Sequence, residues 1–328
     1  MAPQTSVIIP CFNNSAWIRD TLCSVVAQNR ESLGIIVIDD GSTDNSAEIV
    51  RDEFSFVHLV RTPNRGASQA RNLGTSLAHG EFIQYLDADD LLAEGKIGAQ
   101  VEALERTGAD VAYGDWQKLV PSPAPGSGDD FVPGEVVARV IEGDAEIALF
   151  GDFWCPPAAY LFRRSIVDRV VDQAGGWNES LPVIQDARFA LDCALLGGRF
   201  VHTPGIAAYY RAHEAGSLSR RNPVAFWRDV YRNAQQVEAW WSEHGGIAEP
   251  RRNALKHCLG NVARSSFKTD PETFEQALAD LERLGCGSYT PEGPPHLRIA
   301  SKLIGYRRAE QAARWYRKTK RALAGVRA

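Results

Sequence analysis

Short apolar runs alternate with helical patterns through the first 90 residues, and this alternation limits the folds open to the chain. The runs at 6–10, 35–38 and 82–86 have the length and composition of buried strands, and a further short strand is predicted around 57–60. Helical patterns at 16–28 and 67–78 lie between them. Strands that alternate with helices form a doubly wound, mainly parallel sheet. The sequence therefore predicts an α/β fold.

Carboxylates follow the apolar runs. Asp39 and Asp40 follow the second run, and Asp87, Asp89 and Asp90 follow the last. A strand points residues i and i+2 to the same side, so Asp87 and Asp89 are candidates to share one cation. Hard oxygen ligands favour Mn²⁺ or Mg²⁺, which take further ligands from water and substrate phosphates. This predicts a phosphate-bearing substrate, and a solvated acidic turn is the alternative.

Side chains from four strand–helix units should meet in one crevice, because ligands of such sheets bind outside the carboxyl ends of the strands. An aromatic ring can pack on a base, a carboxylate can accept from base or ribose donors, and an arginine can offset phosphate charge. These are the parts of a nucleotide-diphosphate site. The candidates are Pro10, Phe12, Asp40, Arg71, Asp87 and Asp89. For Asp39 and Asp40, helix capping or solvation is the alternative.

Composition excludes several classes of protein. The chain has 328 residues, 44% of them hydrophobic, which is enough for one large domain or a domain with an appendage. No apolar run approaches the roughly 18 residues of a membrane span, and no signal peptide is recognisable, so we expect a cytoplasmic protein. The six cysteines are widely spaced, which argues against a zinc site or a disulfide framework. We expect no nucleic-acid partner.

Four segments resemble the donor-site motifs of family 2 glycosyltransferases with the GT-A fold. They are Ser6-Val-Ile-Ile-Pro-Cys-Phe-Asn, Ile38-Asp-Asp-Gly-Ser-Thr-Asp, Asn64-Arg-Gly-Ala-Ser-Gln-Ala-Arg-Asn and Tyr85-Leu-Asp-Ala-Asp-Asp. The resemblance covers about residues 4–215. It implies that Asp40 recognises the nucleoside base, that Asp87 lies near the ribose, and that Asp89 binds the cation that bridges the diphosphate. Other donor-side positions are Pro10, Phe12, Asn13, Asp39, Arg71 and Ala88.

Two later segments resemble the acceptor-side half of the same family. They begin at Phe153-Trp-Cys-Pro-Pro and at Gly175-Gly-Trp-Asn-Glu-Ser. Their tryptophans, Trp154 and Trp177, are candidate platforms for a sugar ring, and core packing is the alternative. Further on, Tyr209-Tyr-Arg-Ala-His resembles the end of the catalytic domain, where His213 is a candidate metal ligand.

The segment at 182–198 predicts a helix with Asp186 in its first turn, where an acid favours the helix dipole. In the family a Glu-Asp pair precedes such a helix, and its aspartate is the general base. Here the pair is Gln185-Asp186, so the resemblance implies Asp186 as the base without a neighbouring carboxylate. Asp192 is the alternative base, and we expect it on the surface of the helix.

The chain divides by composition into a catalytic domain at 1–220 and a helical C-terminal region at 221–328. Within the first, we expect a nucleotide-sugar-binding half at 1–118 and an acceptor-side half at 119–220. The second half begins with an irregular segment, Leu119 to Gly134, that is rich in proline and glycine.

The C-terminal tail, 302–328, holds nine Lys/Arg and one acid, Glu310. On a helical wheel its apolar residues gather opposite the basic ones, which predicts either peripheral contact with the inner face of a membrane or packing on the catalytic domain. The apolar side comprises Ala309, Ala312, Tyr316, Leu323 and Val326, and it faces away from Arg307, Arg314, Lys318 and Arg321.

Together these features predict an inverting, metal-dependent, hexosyltransferase-like enzyme of bacterial-type surface polysaccharide or glycoconjugate synthesis. It would move a sugar from a nucleoside-diphosphate sugar, preferably a UDP-sugar, to a saccharide or lipid-linked acceptor. One alternative is a sugar-phosphate nucleotidyltransferase, which would need a glycine-rich loop where this chain has Pro10-Cys-Phe-Asn-Asn. The other is a catalytically weak nucleotide-sugar-binding module, which Gln185 leaves open.

Overall fold

The computed structural model describes residues 4–28, 33–122, 131–212, 218–285 and 295–325. The chain divides into two compact units, Met1–Arg221 and Asn222–Ala328. The first is an α/β unit and the second is helical. None of the described helices is long and apolar enough to cross a bilayer.

The described residues of the first unit form one sheet of nine strands. In chain order these are β1 (Thr5–Cys11), β2 (Leu33–Asp39), β3 (His58–Arg61), β4 (Phe82–Tyr85), β5 (Leu91–Leu92), β6 (Val111–Pro121), β7 (Phe131–Val137), β8 (Tyr160–Arg163) and β9 (Phe200–Arg211). Across the sheet the order is β3-β2-β1-β4-β8-β6-β9-β5, and β7 pairs with β6.

Helices connect these strands. They are α1 (Ile18–Val26), α2 (Ser46–Glu53), α3 (Ala67–Leu77), α4 (Lys96–Thr107), α5 (Ala145–Phe150), α6 (Arg164–Ala174), α7 (Gln185–Leu195) and α8 (Leu218–Arg221), with a 3-10 turn at Pro157–Ala159. Gly74 lets α3 approach the sheet closely, because a Cβ there would lie 2.4 Å from Cγ2 of Ile8 in β1.

The four strands β3, β2, β1 and β4 are parallel, which confirms the doubly wound start of the predicted α/β fold. Ile8 of β1 pairs with Ile36 on one side and with Tyr85 on the other. The order of the strands reverses at β1, so the loops after β1 and β4 open on a crevice at the carboxyl end of the sheet. The residues that follow these strands are therefore the ones that form the site.

The rest of the sheet is mixed, so the predicted predominance of parallel pairing does not extend past β4. Among the described strands, β8 is antiparallel to β4 and β6, β7 is antiparallel to β6, and β5 is antiparallel to β9. Only β6 and β9 add a parallel pair in this region. Parallel neighbours need a long crossover, whereas β6 and β7 are joined by a short connection and therefore pair as a hairpin.

The prediction of an irregular segment at 119–134 is wrong at both of its ends. Leu119–Pro121 belongs to β6, and Phe131–Gly134 belongs to β7. The prolines are tolerated there because Pro121 ends its strand and Pro133 lies in β7, which pairs with β6 alone among the described strands. Residues 123–130 lie outside the described part of the chain.

The second unit is helical, as the sequence predicts. Its helices are α9 (Pro223–Glu243), α10 (Glu249–Ser266), α11 (Pro271–Arg283), α12 (Pro295–Ile304) and α13 (Tyr306–Gly325). Apolar residues of all five helices form its core, among them Val237, Trp241, Leu259, Val262, Phe274, Leu281, Leu297 and Ala309.

The apolar side predicted for the tail is divided in the structure. Ala309 is buried, whereas Ala312 and Tyr316 are exposed. The side chains of Leu323 and Val326 lie outside the described residues. The start of α13 therefore packs on its own unit. Part of the apolar side that the sequence predicted as one continuous surface is buried in this contact.

Candidate active site

The segment after β4 forms a tight acidic turn, Asp87–Asp90, which we call the acid turn. The backbone N–H of Asp90 donates to the carbonyl of Asp87 at 3.1 Å. The hydroxyl of Thr21 in α1 lies 2.9 Å from the carbonyl oxygens of both Ala88 and Asp90. Helix α1 therefore fixes the acid turn at the carboxyl end of the central strands.

Arg211, the last residue of β9, holds the acid turn from another side. Its Nη1 donates to the carbonyl of Asp89 at 2.9 Å, and its backbone N–H donates to Oδ1 of Asp90 at 3.0 Å. Its Nη2 pairs with Asp20 of α1 at 2.9 Å, and the residue is buried. Sequence reasoning missed this role, because nothing in the sequence indicates a contact between residues 122 positions apart.

Burial and like charge shift the ionisation of the acid turn. Burial raises the pKa of Asp90 well above its ordinary value, and the charges of Asp89 and Asp87 add to this effect. Burial also raises the pKa of Asp87, Arg71 opposes the shift, and the charges of Asp89 and Asp186 reinforce it. The carboxylate of Asp186 is therefore within electrostatic reach of the acid turn.

Arg71 of α3 links the acid turn to the start of α7. Its buried guanidinium forms an ion pair with Asp87 through Nη2, and its Nη1 donates to Oε1 of Gln185 at 3.0 Å. The same Oε1 accepts from the hydroxyl of Ser68 at 2.5 Å. Gln185 is a neutral acceptor of these hydrogen bonds. The positive charge of Arg71 is therefore neutralised by Asp87 and not by Gln185.

Asp186 lies in the first turn of α7, as predicted. Its Oδ2 accepts a hydrogen bond from Nε1 of Trp154 at 2.8 Å, and Trp154 is half-buried. Tyr210 of β9 packs against Trp154 with ring centroids 5.8 Å apart. Burial raises the pKa of Tyr210, and the charges of the acid turn and of Asp186 add to it. Tyr210 is therefore within electrostatic reach of both the acid turn and Asp186. The sequence did not predict this position.

Trp177 is not a platform for a sugar, contrary to one of the sequence predictions. Its ring is 2% exposed and stacks on Phe189 with centroids 4.4 Å apart. The guanidinium of Arg71 lies 4.4 Å from the centroid of the same ring. Trp177 is a core residue that supports Arg71, which is the packing alternative that its sequence context left open.

Asp192 is buried, and the expectation of a surface position is wrong. Its Oδ1 accepts from Nε of Arg188 at 2.7 Å, one helical turn earlier. The pair is folded into the protein rather than exposed, because α7 is covered on this side as well as on its apolar face. The carboxylate of Asp192 is therefore held in an ion pair with Arg188.

The proposed donor residues of β1 lie at the mouth of the crevice. Pro10 is buried near the end of β1, and Phe12 just after it is 46% exposed. Asn13 adopts a left-handed backbone with φ 52°, and its Oδ1 accepts from the backbone N–H of Thr43 at 2.8 Å. The loops after β1 and β2 are therefore tied together, and the ring of Phe12 is accessible.

The two acids after β2 organise loops. Asp39 is buried and pairs with Arg61 at 2.9 Å. The carboxylate of Asp40, also buried, accepts from the backbone N–H groups of Arg65 at 2.8 Å and Gly66 at 2.7 Å. Asp40 therefore fixes the loop that leads into α3 and thus the start of the helix that carries Arg71.

The donor set suits a hard divalent cation of the kind that the sequence predicts. Asp87 and Asp89 offer carboxylate oxygens. Burial raises the pKa of Asp87, and the neighbouring charge of Asp89 adds to the shift. The described residues contain no group of three or more His, Cys, Asp or Glu placed to hold a metal ion by themselves. His213 lies outside the described residues. The acid turn therefore fits a cation that takes its remaining ligands from substrate phosphates and water.

Comparison with known sequences agrees with this arrangement. Residues 6–131 match the family model described as Glycosyl transferase family 2. The glycosyltransferase GlyG of Streptococcus pneumoniae is 35% identical over 121 residues, which are 35% of this chain and 40% of that protein. An uncharacterized glycosyltransferase of Haemophilus influenzae is 34% identical over 118 residues, 35% of this chain and 47% of that protein. The matched segment spans less than half of either relative.

Solved structures share the fold at low sequence identity. The structure of S. aureus TarS 1-349 in complex with UDP-GlcNAc has a TM-score of 0.64 at 17% identity and covers 95% of this chain and 92% of its own. The mannosyltransferase PcManGT from Pyrobaculum calidifontis, in complex with GDP-Man and Mn²⁺, has a TM-score of 0.52 at 20% identity, with 95% and 83% covered. Residues 6–131 of this chain are thus similar to glycosyl transferase family 2, and its fold is of the GT-A type.

Proposed function

We propose that the protein transfers a sugar from a nucleoside-diphosphate sugar to an acceptor hydroxyl, with inversion at the anomeric carbon. The observation that carries this proposal is the link made by Arg71. Its guanidinium pairs with Asp87 of the acid turn and donates to Gln185, the residue before Asp186. One buried arginine thus joins the proposed donor side to the proposed base.

The donor is proposed to lie over the ends of β1 and β2. The exposed ring of Phe12 suits packing on a nucleoside base. Asp39 and Asp40 border the same loops, and Oδ2 of Asp40 keeps a lone pair beyond the one that accepts from the backbone N–H of Gly66. TarS has been solved in complex with UDP-GlcNAc and with UDP, and PcManGT in complex with GDP-Man. These ligands support the donor class, and the TarS complexes favour a UDP-sugar.

Asp89, with Asp87 beside it, is proposed to hold Mn²⁺ or Mg²⁺, and His213 is a further proposed ligand. When bound, the cation supplies positive charge that stabilises the departing diphosphate. Arg71 is buried and paired, so it acts on the donor through Asp87 rather than by touching phosphate.

Asp186 is proposed to accept the proton of the attacking hydroxyl. The hydroxyl oxygen bonds to the anomeric carbon as the bond from that carbon to the diphosphate oxygen breaks, and the electron pair leaves with the diphosphate. A single displacement from the opposite face inverts the configuration. No enzyme nucleophile is needed.

Thermal-shift and turnover measurements test the proposal. The panel is UDP-GlcNAc, UDP-glucose, UDP-galactose and GDP-mannose, each with MnCl₂ and with EDTA. We expect at least one donor to raise the Tm with Mn²⁺, to lose most of that effect in EDTA or in Asp89→Ala, and to be consumed. Asp172→Asn, on the exposed side of α6, is the control. If no donor in the panel is bound or consumed, the proposed activity is wrong; binding without consumption identifies the nucleotide-sugar-binding module instead.

A membrane-associated acceptor is part of the same proposal. Ile299 and Leu303 lie one turn apart on α12 and are 60% and 78% exposed, beside the exposed bases Arg298 and Lys302. An apolar stripe beside cations suits the surface of an anionic bilayer. Such contact would hold the enzyme at the inner face of a membrane, where a lipid-linked saccharide is presented.

Sedimentation with vesicles tests this contact. We expect the protein to sediment with phosphatidylglycerol-containing vesicles and not with phosphatidylcholine alone, and Leu303→Asp to lose that binding. Glu275→Gln on α11, which changes the charge in the opposite direction and removes an exposed ion pair with Arg307, is the control. Equal recovery of parent and Leu303→Asp in the pellet would remove this part of the proposal.

A further inference from the structure

We propose that Trp154 is a positioning residue for Asp186, and that its indole N–H holds one carboxylate oxygen so that the other faces the acceptor hydroxyl. The inference rests on the proposed function of Asp186 as the base. Nε1 of Trp154 lies 2.8 Å from Oδ2 of Asp186. Among the described residues, Trp154 supplies the one side-chain hydrogen bond to this carboxylate.

The start of α7 makes such a restraint necessary. The N-cap residue Ile184 provides no side-chain cap, so the first N–H groups of the helix lack that partner. A carboxylate in the first turn is drawn towards such groups by hydrogen bonding and by the helix dipole. The bond from Trp154 restrains Oδ2 of Asp186, and Oδ1 is left to take a proton.

Trp154 is itself held by two other rings. Its ring meets that of Trp116 edge to face at 5.3 Å and 87°, and that of Tyr210 at 5.8 Å and 86°. Trp116 and Tyr210 also meet edge to face, at 5.8 Å and 77°. These rings come from β6, β9 and the loop before the 3-10 turn, so the sheet fixes the direction of the indole N–H.

The backbone that follows Trp154 is also fixed. The 3-10 turn at Pro157–Ala159 is buried, and Nε2 of Gln100 donates to the carbonyl of Ala159 at 2.9 Å. Nε2 of Gln84 in β4 lies 3.4 Å from the carbonyl of Pro157. A hydrogen-bond donor that orients a reacting group has to be rigid, and these contacts supply that rigidity.

Two substitutions at Trp154 separate positioning from packing. Trp154→Phe keeps an apolar six-membered ring and loses the donor. Trp154→His loses most of the ring volume but keeps an N–H, because Nε2 of histidine has the same bonded path from Cα as Nε1 of tryptophan. If the indole only packs, the phenylalanine variant should be the more active of the two. If it positions Asp186, the histidine variant should be.

Trp116→Phe is the matched control. Nε1 of Trp116 is buried without a hydrogen-bond partner in the described structure, so its removal costs no hydrogen bond. The same chemical change is thereby made in the same ring cluster without touching Asp186. We expect Trp116→Phe, which keeps an aromatic ring beside Trp154, to be slowed less than Trp154→Phe, because it leaves the hydrogen bond from Trp154 to Asp186 in place.

The experiment measures single-turnover consumption of the donor that gives the largest thermal shift in the panel above, with water as acceptor. We expect Trp154→Phe to be slower by about tenfold to a hundredfold, the effect of one hydrogen bond to a charged group. Donor affinity by calorimetry should be unchanged, and Trp154→His should recover part of the rate. In Asp186→Asn, Trp154→Phe should cause little further loss.

The outcomes keep this inference apart from the proposed function. A parental rate in Asp186→Asn would overturn the base assignment itself. A slow Asp186→Asn with a parental Trp154→Phe, or with Trp154→Phe faster than Trp154→His, would overturn the role of Trp154 alone.

A measurement without turnover completes the test. The indole ¹H–¹⁵N signal of Trp154, identified as the one lost in Trp154→Phe, should move in Asp186→Asn because its acceptor changes. A signal that stays in place would show that the hydrogen bond is absent, and it would overturn the inference even for a donor that is not consumed.

Discussion

Two aspartates of the same helix have opposite surroundings. Asp186, in the first turn of α7, accepts a single indole N–H beside the crevice. Asp192, further along, is buried against Arg188 at 2.7 Å. Burial raises the pKa of Asp192 to about 6, and the charge of Arg188 opposes the shift. The proposed role of Asp186 is therefore chemical and that of Asp192 is structural, because their surroundings differ.

The raised pKa of Asp192 predicts a pH-dependent stability. In the unfolded chain the pKa of this carboxyl is near 3.8, so the native state binds the proton more tightly than the unfolded state does. The contribution of Asp192 to the free energy of unfolding is therefore largest below about pH 4 and is lost as the pH rises through about 6. We expect the free energy of unfolding of the parent, minus that of Asp192→Asn, to fall by on the order of 2 kcal/mol between pH 4 and pH 7.

Urea unfolding followed by tryptophan fluorescence at both pH values checks this. Asp172→Asn, at an exposed acid of α6, is the control variant. A flat difference for Asp192→Asn would mean that its carboxyl is not desolvated as the structure has it.

For single residues, the sequence predicted which side chains belong to the candidate site better than it predicted the contacts that they make. The motif around Asp186 located the helix and the acid correctly. The burial of Asp192 was missed because a spacing of four residues between Arg188 and an acid is equally typical of an exposed pair. The contacts of Trp154 and Arg71 join distant parts of the chain, and periodicity and local spacing carry no information about them.

Among the elements, the acid turn depends on two that flank it. Helix α1 holds it through Thr21, and β9 holds it through Arg211. Arg211 also contacts Trp17, with its guanidinium 4.9 Å from the ring centroid. A turn that carries adjacent acids needs such fixed donors, because repulsion between its carboxylates otherwise favours a more open conformation.

Loss of Arg211 should therefore loosen the donor side. We expect Arg211→Ala to weaken binding of the panel donor with Mn²⁺ by about tenfold, since at least two hydrogen bonds to the acid turn and to Asp20 disappear. Arg211→Lys should recover little, because an ammonium cannot reproduce the two-armed geometry. Calorimetry measures both.

Arg51→Ala, which removes an exposed ion pair with Asp52, is the control and should bind as the parent does. Circular dichroism establishes that each variant is folded. Parental affinity in a folded Arg211→Ala would show that the acid turn keeps its shape without β9.

The parallel elements were predictable and the mixed ones were not. Strands β1 and β2 contain continuous apolar runs, and β4 is apolar except for Gln84, as is typical of buried parallel strands. Strand β9 contains Pro204 and Gly205, and β5 has two residues, so neither shows a strand pattern. The position of β9 is set by its pairing with β6, and that of β5 by its pairing with β9, and both are tertiary properties.

At the scale of the whole molecule, every described residue of the candidate site belongs to the first unit. The acid turn, Arg71, Trp154, Asp186 and Arg211 all precede Asn222, where the second unit begins. Each unit has its own buried core. Donor recognition should therefore not require the second unit.

Truncation after Arg221 tests this division. We expect residues 1–221 to fold and to keep the Mn²⁺-dependent rise in Tm with the panel donor, while binding to anionic vesicles is lost with α12. The full-length chain, measured beside it, is the reference. A folded truncated chain that no longer responds to the donor would show that the second unit completes the donor site.

The central claim is the proposal that Asp186 takes the proton of the acceptor, and the single-turnover rate of Asp186→Asn tests it most directly. The amide keeps the size of the side chain and one acceptor oxygen for Trp154, but it does not take a proton at neutral pH. We expect the rate of sugar transfer to fall by on the order of 10² to 10⁴ with donor affinity unchanged. A parental single-turnover rate would contradict the account and leave Asp186 as a charge at the start of a helix.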